Sequence, residues 1–116
     1  MLLDIRYKTN IQELTDALDI VLKLRGVRHD WKQNFADKNF PEGTVLSLIA
    51  QEVEPYVPEV VRTGQDGYKS VDYTKLTPLL IEAIQSQQEQ ISTQQEQISM
   101  QEDRLKRIER ELGINN

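Results

Sequence analysis

Isoleucine or leucine recurs every seven residues from Ile84 through Ile91, Ile98 and Leu105 to Leu112, and no other feature limits the fold so tightly. Taking these as heptad position a places Leu80, Gln87, Gln94, Gln101 and Ile108 at d. Two heptads are near copies, QQEQIST starting at Gln87 and QQEQISM starting at Gln94. Strict seven-residue spacing keeps one seam facing a partner only when helices supercoil left-handedly around each other. A helix that packs on its own globular domain carries a broader stripe, about three to four apolar residues per two turns. Between Gln85 and Asp103 the apolar residues are Ile91, Ile98 and Met100 alone. That stripe is too thin for a domain surface and suits a coiled-coil seam.

The d layer bears on the number of strands. A β-branched a with leucine at d favours dimers, but here glutamine fills d over three heptads. A buried amide without a partner costs ~1–3 kcal/mol, and glutamine is long enough to bond its symmetry mates across a wider axis. In a parallel bundle Arg104 at g faces Glu109 at e of the neighbour, an exposed pair contributing only ~0.2–1 kcal/mol. The expectation is a parallel homotrimer with the seam Leu80, Ile84, Gln87, Ile91, Gln94, Ile98, Gln101, Leu105, Ile108 and Leu112. The cations Arg104, Lys106, Arg107 and Arg110 alternate with Glu102, Asp103, Glu109 and Glu111, so they read as a solvated helix surface.

What precedes the helix is small. A core of fewer than about 80 residues rarely supplies more than ~3–5 kcal/mol, so a staple from elsewhere is expected. The chain has no cysteine, which excludes a disulfide or thiolate metal staple. Oligomerisation through the stalk remains. The net charge of −5 argues against a general nucleic-acid binder. No apolar run approaches the ~20 residues of a membrane span, and Met1-Leu2-Leu3 is too short for a signal-peptide core.

The head reads as a mixture of short elements. Asn10 is placed to cap a helix with apolar positions Ile11, Leu14, Ala17, Leu18, Val21 and Leu22, ended by Gly26. Val27 to Trp31 follows as a strand, with Val27, His29 and Trp31 on one face. Residues 32–43 are a polar loop with Pro41 and Gly43. Thr44 to Ser47 is a strand or turn before a short helix from Leu48 to Glu54, which Pro55 and Pro58 stop. Val60 to Arg62 and Tyr68 to Val71 flank Thr63-Gly64-Gln65-Asp66-Gly67, a hairpin signal. Thr74 or Thr77 then caps the long helix, with Pro78 in its first turn. The predicted fold class is α+β: a head at 1–73 with short helices and a β-hairpin, and a coiled-coil stalk at 74–116.

Several blocks carry a family resemblance. Asp4-Ile5-Arg6-Tyr7-Lys8-Thr9-Asn10-Ile11 is followed in order by Leu24-Arg25-Gly26-Val27 with Trp31, then Leu48-Ile49-Ala50-Gln51-Glu52-Val53. Pro58-Glu59-Val60-Val61, Tyr68 to Tyr73 and Leu76 to Ile84 complete the series. Together they resemble the C-terminal intramolecular chaperone domains of phage endosialidases, tailspikes and tail fibres. In that family a serine cuts the peptide bond on its N-terminal side, activated by a lysine five residues on. The resemblance implies that Lys8 is the base partner of the nucleophile position, which here holds Leu3, so this chain is expected not to cleave itself. Ser47 also stands where the family usually has glycine.

The resemblance further implies a homotrimer that assists folding of the upstream fibre or tailspike body of the same polypeptide. It acts in the host cytoplasm during virion assembly and is absent from the mature virion if cleaved. An alternative is a structural trimerisation tip that stays attached, which Leu3 favours. Membrane-anchored transcription factors use a similar trimerising cleavage domain, but no membrane span or DNA-binding segment is visible here.

Other candidate chemistry is thin. His29 is the lone histidine, and its alternation with Val27 and Trp31 is an ordinary half-buried strand pattern; a functional reading puts it near the cleavage site. With no second histidine and no cysteine it makes no metal site. Glu52, Glu54 and Glu59 read as a solvated face, and the five scattered glycines form no phosphate loop. No cofactor and no metal are expected.

Overall fold

No proline follows Pro78 and no glycine interrupts the chain before Gly113, so nothing breaks a helix between them. In a computed structural model describing residues 1–113, one helix runs over Leu76–Leu112, 37 residues. At 1.5 Å per residue that is about 56 Å, most of the molecule's 78 Å long axis. Gly113 ends it in the left-handed conformation, φ +68°, with its N–H donating to Arg110.

The start of this helix differs from the expected threonine cap. A 3-10 turn at Tyr73–Lys75 leads in, and Asp72 accepts from the Thr74 amide at 3.1 Å and the Thr74 hydroxyl at 2.6 Å. Thr74 is thus the donor rather than the cap. The carboxylate wins because it accepts both bonds at once and carries the charge that an N-terminus favours.

The remaining elements are α1 (Ala17–Val21), β1 (Val27–Asp30), β2 (Thr44–Ser47), α2 (Ala50–Val53), β3 (Val61–Thr63) and β4 (Lys69–Val71); α3 is the long helix. They form two separate antiparallel hairpins, β1–β2 and β3–β4. In the first, Val27 pairs with Ser47 and His29 with Val45; in the second, Val61 pairs with Val71 and Thr63 with Lys69. The β3–β4 hairpin is the one expected from its Asp-Gly loop. Gly67 sits at φ +85°, and Asp66 accepts from the Tyr68 amide at 3.0 Å.

The helix expected from Ile11 is shorter than its periodicity. Asn10 has φ +52° and cannot act as a cap, and only Ala17–Val21 is α-helical. Ile11 is 66% and Leu14 42% exposed. A short helix is marginal in water without a packed face, and only Ala17, Leu18, Ile20 and Val21 reach the core. The helix closes at Leu22, before Gly26. α2 is likewise trimmed to one turn.

The core joins Ala17 of α1, Val53 of α2, Val57 and Val60 to Leu76, Leu79 and Ala83 of α3. Leu76, Leu79 and Ala83 follow a three-then-four spacing, so they form one stripe on the first turns of α3. In heptad terms they occupy g, c and g, beside the a and d seam rather than on it. One helix therefore carries two apolar stripes, and only one of them is buried in the chain.

Candidate functional site

The N-terminal segment is ordered by its own short-range bonds. Asp4 accepts from the Arg6 amide at 2.9 Å and caps a 3-10 turn, Ile5–Tyr7. The Arg6 guanidinium grips the same carboxylate at 3.0 and 2.8 Å, and this holds the Asp4 carboxyl below its ordinary range. Leu3 and Lys8 flank the turn, and Leu3 is 67% exposed. Lys8 is also exposed; its amide donates to Ile5 at 3.0 Å, and its ammonium makes no ion pair among the described residues. The 3-10 turn covers Ile5–Tyr7 only, and Asp4 and Lys8 on either side of it are extended.

His29 belongs elsewhere. Its ring meets Trp31 edge-on at 4.7 Å, and Trp31 stacks on Phe40 at 4.6 Å with only 10° between planes. Phe35 continues the cluster to Phe40 and to Tyr68 of the other hairpin, each at 6.4 Å. These rings organise the 32–43 connection, which is expected from its composition to be a polar loop. The signal was Phe35 and Phe40 within that polar stretch. Among the described residues no hydrogen bond joins His29 to the Leu3–Lys8 segment; it is a β1 residue set edge-on against Trp31.

Two of the three singled-out carboxylates have definite partners. Glu52 holds Arg25 in a bidentate pair, 2.7 and 2.9 Å, tying the end of the α1 connection to α2. Hydrogen bonding from Arg25 lowers the Glu52 pKa. Glu54 accepts from Lys69 at 3.1 Å, and that ammonium also donates to Thr63 at 2.7 Å across the β3–β4 ladder. These are structural ties; no group of three or more histidines, cysteines or carboxylates is placed to hold a metal among the described residues.

Between the hairpins lies an open groove of about 730 Å³. Trp31, Val45, Leu48, Ile49, Val71 and Tyr73 give it a mainly apolar lining. Tyr73 secures its floor by accepting from the Leu48 amide at 2.9 Å.

The stalk presents the second surface. Leu80 is 45%, Ile91 50% and Ile98 47% exposed, against 4% for Leu79 one residue before Leu80. The remaining apolar seam positions Ile84, Leu105, Ile108 and Leu112 are similarly open, as are Gln87, Gln94 and Gln101. No helix of the described residues is long and apolar enough to cross a membrane.

Comparison with known proteins gives the chain a family. The family described as chaperone of endosialidase matches residues 4–62, starting one residue after Leu3. The chain belongs to that family. It is also 32% identical over 92 residues to the long tail fiber protein Gp37 of Enterobacteria phage K3 and to that of phage T2. Each match covers 76% of this chain and 7% of the tail-fibre protein, so the chain spans a small fraction of those relatives.

Proposed function

We propose that this domain is an intramolecular chaperone of a phage tail fibre or tailspike, working as a parallel homotrimer on the body of the same polypeptide. The observation that carries the reading is the unburied a/d stripe of α3, which continues far past the head on a helix whose other stripe is already packed. Apolar side chains repeated along one line of a long helix gain burial only from another helix. Fibre bodies built from strands of different chains need non-local pairing, which is slow and exposes aggregation-prone edges. A stalk that holds three chains in register raises their effective concentration to roughly millimolar. Assembly of this kind takes place in the host cytoplasm.

Self-cleavage is the step this chain lacks. A serine at position 3 would need its proton taken by a neutral amine, the part assigned to Lys8. Leu3 offers no hydroxyl, so the domain stays joined to whatever precedes it. That favours, as a second reading, a permanently attached trimerisation tip. The test is Leu3→Ser in a chain extended by an upstream fibre segment. Cleavage just before position 3 is expected, read by gel shift and N-terminal sequencing, and adding Lys8→Ala should abolish it. An unchanged rate with Lys8→Ala would remove Lys8 as the base. No cleavage in Leu3→Ser would leave the attached tip as the better reading.

A further inference from the structure

Ile81 belongs to neither apolar stripe of α3. It follows Leu79 by two residues, ~200° round the helix, so it lies on the side away from the head core that holds Leu79. It is 50% exposed, and in heptad terms it occupies e, one place beyond the seam residue Leu80. The later e positions are Gln88, Gln95, Glu102 and Glu109. An apolar residue therefore stands at e at one level of the helix, the level at which the head packs.

In a parallel bundle the e flank of one helix faces the g flank of the next, the relation that sets Arg104 opposite Glu109. The same offset sets Ile81 opposite Leu76 of the next copy. Leu76 is 7% exposed, covered by its own head together with Leu79 and Ala83. What faces Ile81 across the bundle is thus a folded head and not a bare helix. The next e residue, Gln88, falls opposite Ala83, where the core stripe ends. Beyond it the g positions Gln90, Gln97, Arg104 and Glu111 are polar. The e flank turns from apolar to polar as the flank opposite it changes from head to bare helix.

We infer that Ile81 of each copy packs on the head of the next copy, at the flank over Leu76, so that every head is tied to a neighbouring stalk as well as to its own. This inference rests on the trimer reading and adds to it a contact outside the seam. The occupant is a second copy because Ile81 is continuous with the seam. Leu80 just before it and Ile84 one turn after it are 45% and 65% exposed. A helix that covers those two residues on the e side carries its own head to Ile81. The head also gains from apolar surface brought by a neighbour, since Val53 is the largest side chain it fully encloses.

The chain has no native cysteine, so Ile81→Cys accepts a single benzophenone–maleimide label. Labelled full chains are refolded with isotopically heavy, unlabelled full chains and irradiated, and the linked peptides are read by mass spectrometry. Light-to-heavy links from position 81 into residues 1–76 are expected. The same label at Met100→Cys, an exposed site beyond the head, should give none. Links only within the labelled chain, or only to the stalk beyond Ala83, would overturn the docking. A trimer by sedimentation with no link to a head would sink the docking and leave the trimer standing. A monomer with no light-to-heavy link would remove both. Independently, Ile81→Ser should lower the urea midpoint of the head, read at Trp31, in the assembled chain, because a partner that binds the folded head stabilises it. The same substitution should leave the midpoint in place in an Ile91→Asp/Ile98→Asp chain that sediments as a monomer. An equal drop in both would make Ile81 a support of its own head and contradict the inference.

Discussion

Leu79 and Leu80 are chain neighbours on the same helix with opposite fates. Leu79 is 4% exposed in the head core, and Leu80 is 45% exposed on the seam. The head is held by contacts far apart in sequence, from Ala17 through Val60 to Ala83. Among the described residues the stalk has no such contacts beyond its first turns and carries instead a strict local repeat. The head therefore draws its stability from tertiary packing within one chain. The stalk is a long helix whose a and d positions a single chain leaves exposed.

The largest test of this contrast is Ile91→Asp/Ile98→Asp. Carboxylates buried in a seam without partners cost several kcal/mol, so sedimentation equilibrium should fall from trimer to monomer mass. Trp31 emission would separate any loss of the head from loss of assembly. A double variant that stays trimeric would mean that the heads hold the assembly.

The two leucines sharpen the contrast next. Leu79→Ala should destabilise the head by ~2–5 kcal/mol, the usual cost of emptying a buried leucine site. Urea unfolding followed at Trp31 reads that loss. Leu80→Ala should leave that curve nearly in place and weaken association. Equal effects of both on the head would erase the two-stripe description.

Within the head, Gly67→Ala is expected to cost about 1–2 kcal/mol, because φ +85° places a Cβ in a disfavoured region. Hydrogen exchange should quicken at β3–β4 and not along α3. Exchange quickening equally in both would mean that head and stalk open as one unit.

The smallest effect is acid sensitivity through Glu52. Hydrogen bonds from Arg25 lower its pKa in the folded chain. The folded state thus binds this proton less readily than the unfolded chain, whose glutamate value is roughly 4.3. The contribution is present above that value and is lost as pH falls through the lower folded value. Solvent screening keeps it small, since Arg25 is 66% and Glu52 39% exposed. Glu52→Gln should flatten the acid limb of a stability-versus-pH curve for the head, and an unchanged limb would place the acid sensitivity in other carboxylates.

Much of this molecule was legible in residue order because the relevant physics is local. The heptad spacing, the breakers around it and the Asp66-Gly67 turn act within a few residues, and they predicted the long helix and the β3–β4 hairpin. Other features depended on partners distant in sequence. Ile11 and Leu14 have helical spacing yet lie outside the helix, because no packing among the described residues buries them. Phe35 and Phe40 sit in a polar stretch, and only their approach to Trp31 and Tyr68 makes that stretch a structured connection. Leu76, Leu79 and Ala83 were hidden beside a stronger repeat, and only the docking of α1, α2 and Val57–Val60 selects them as core. Periodicity states which residues need burial; the tertiary structure decides which of them find it inside one chain.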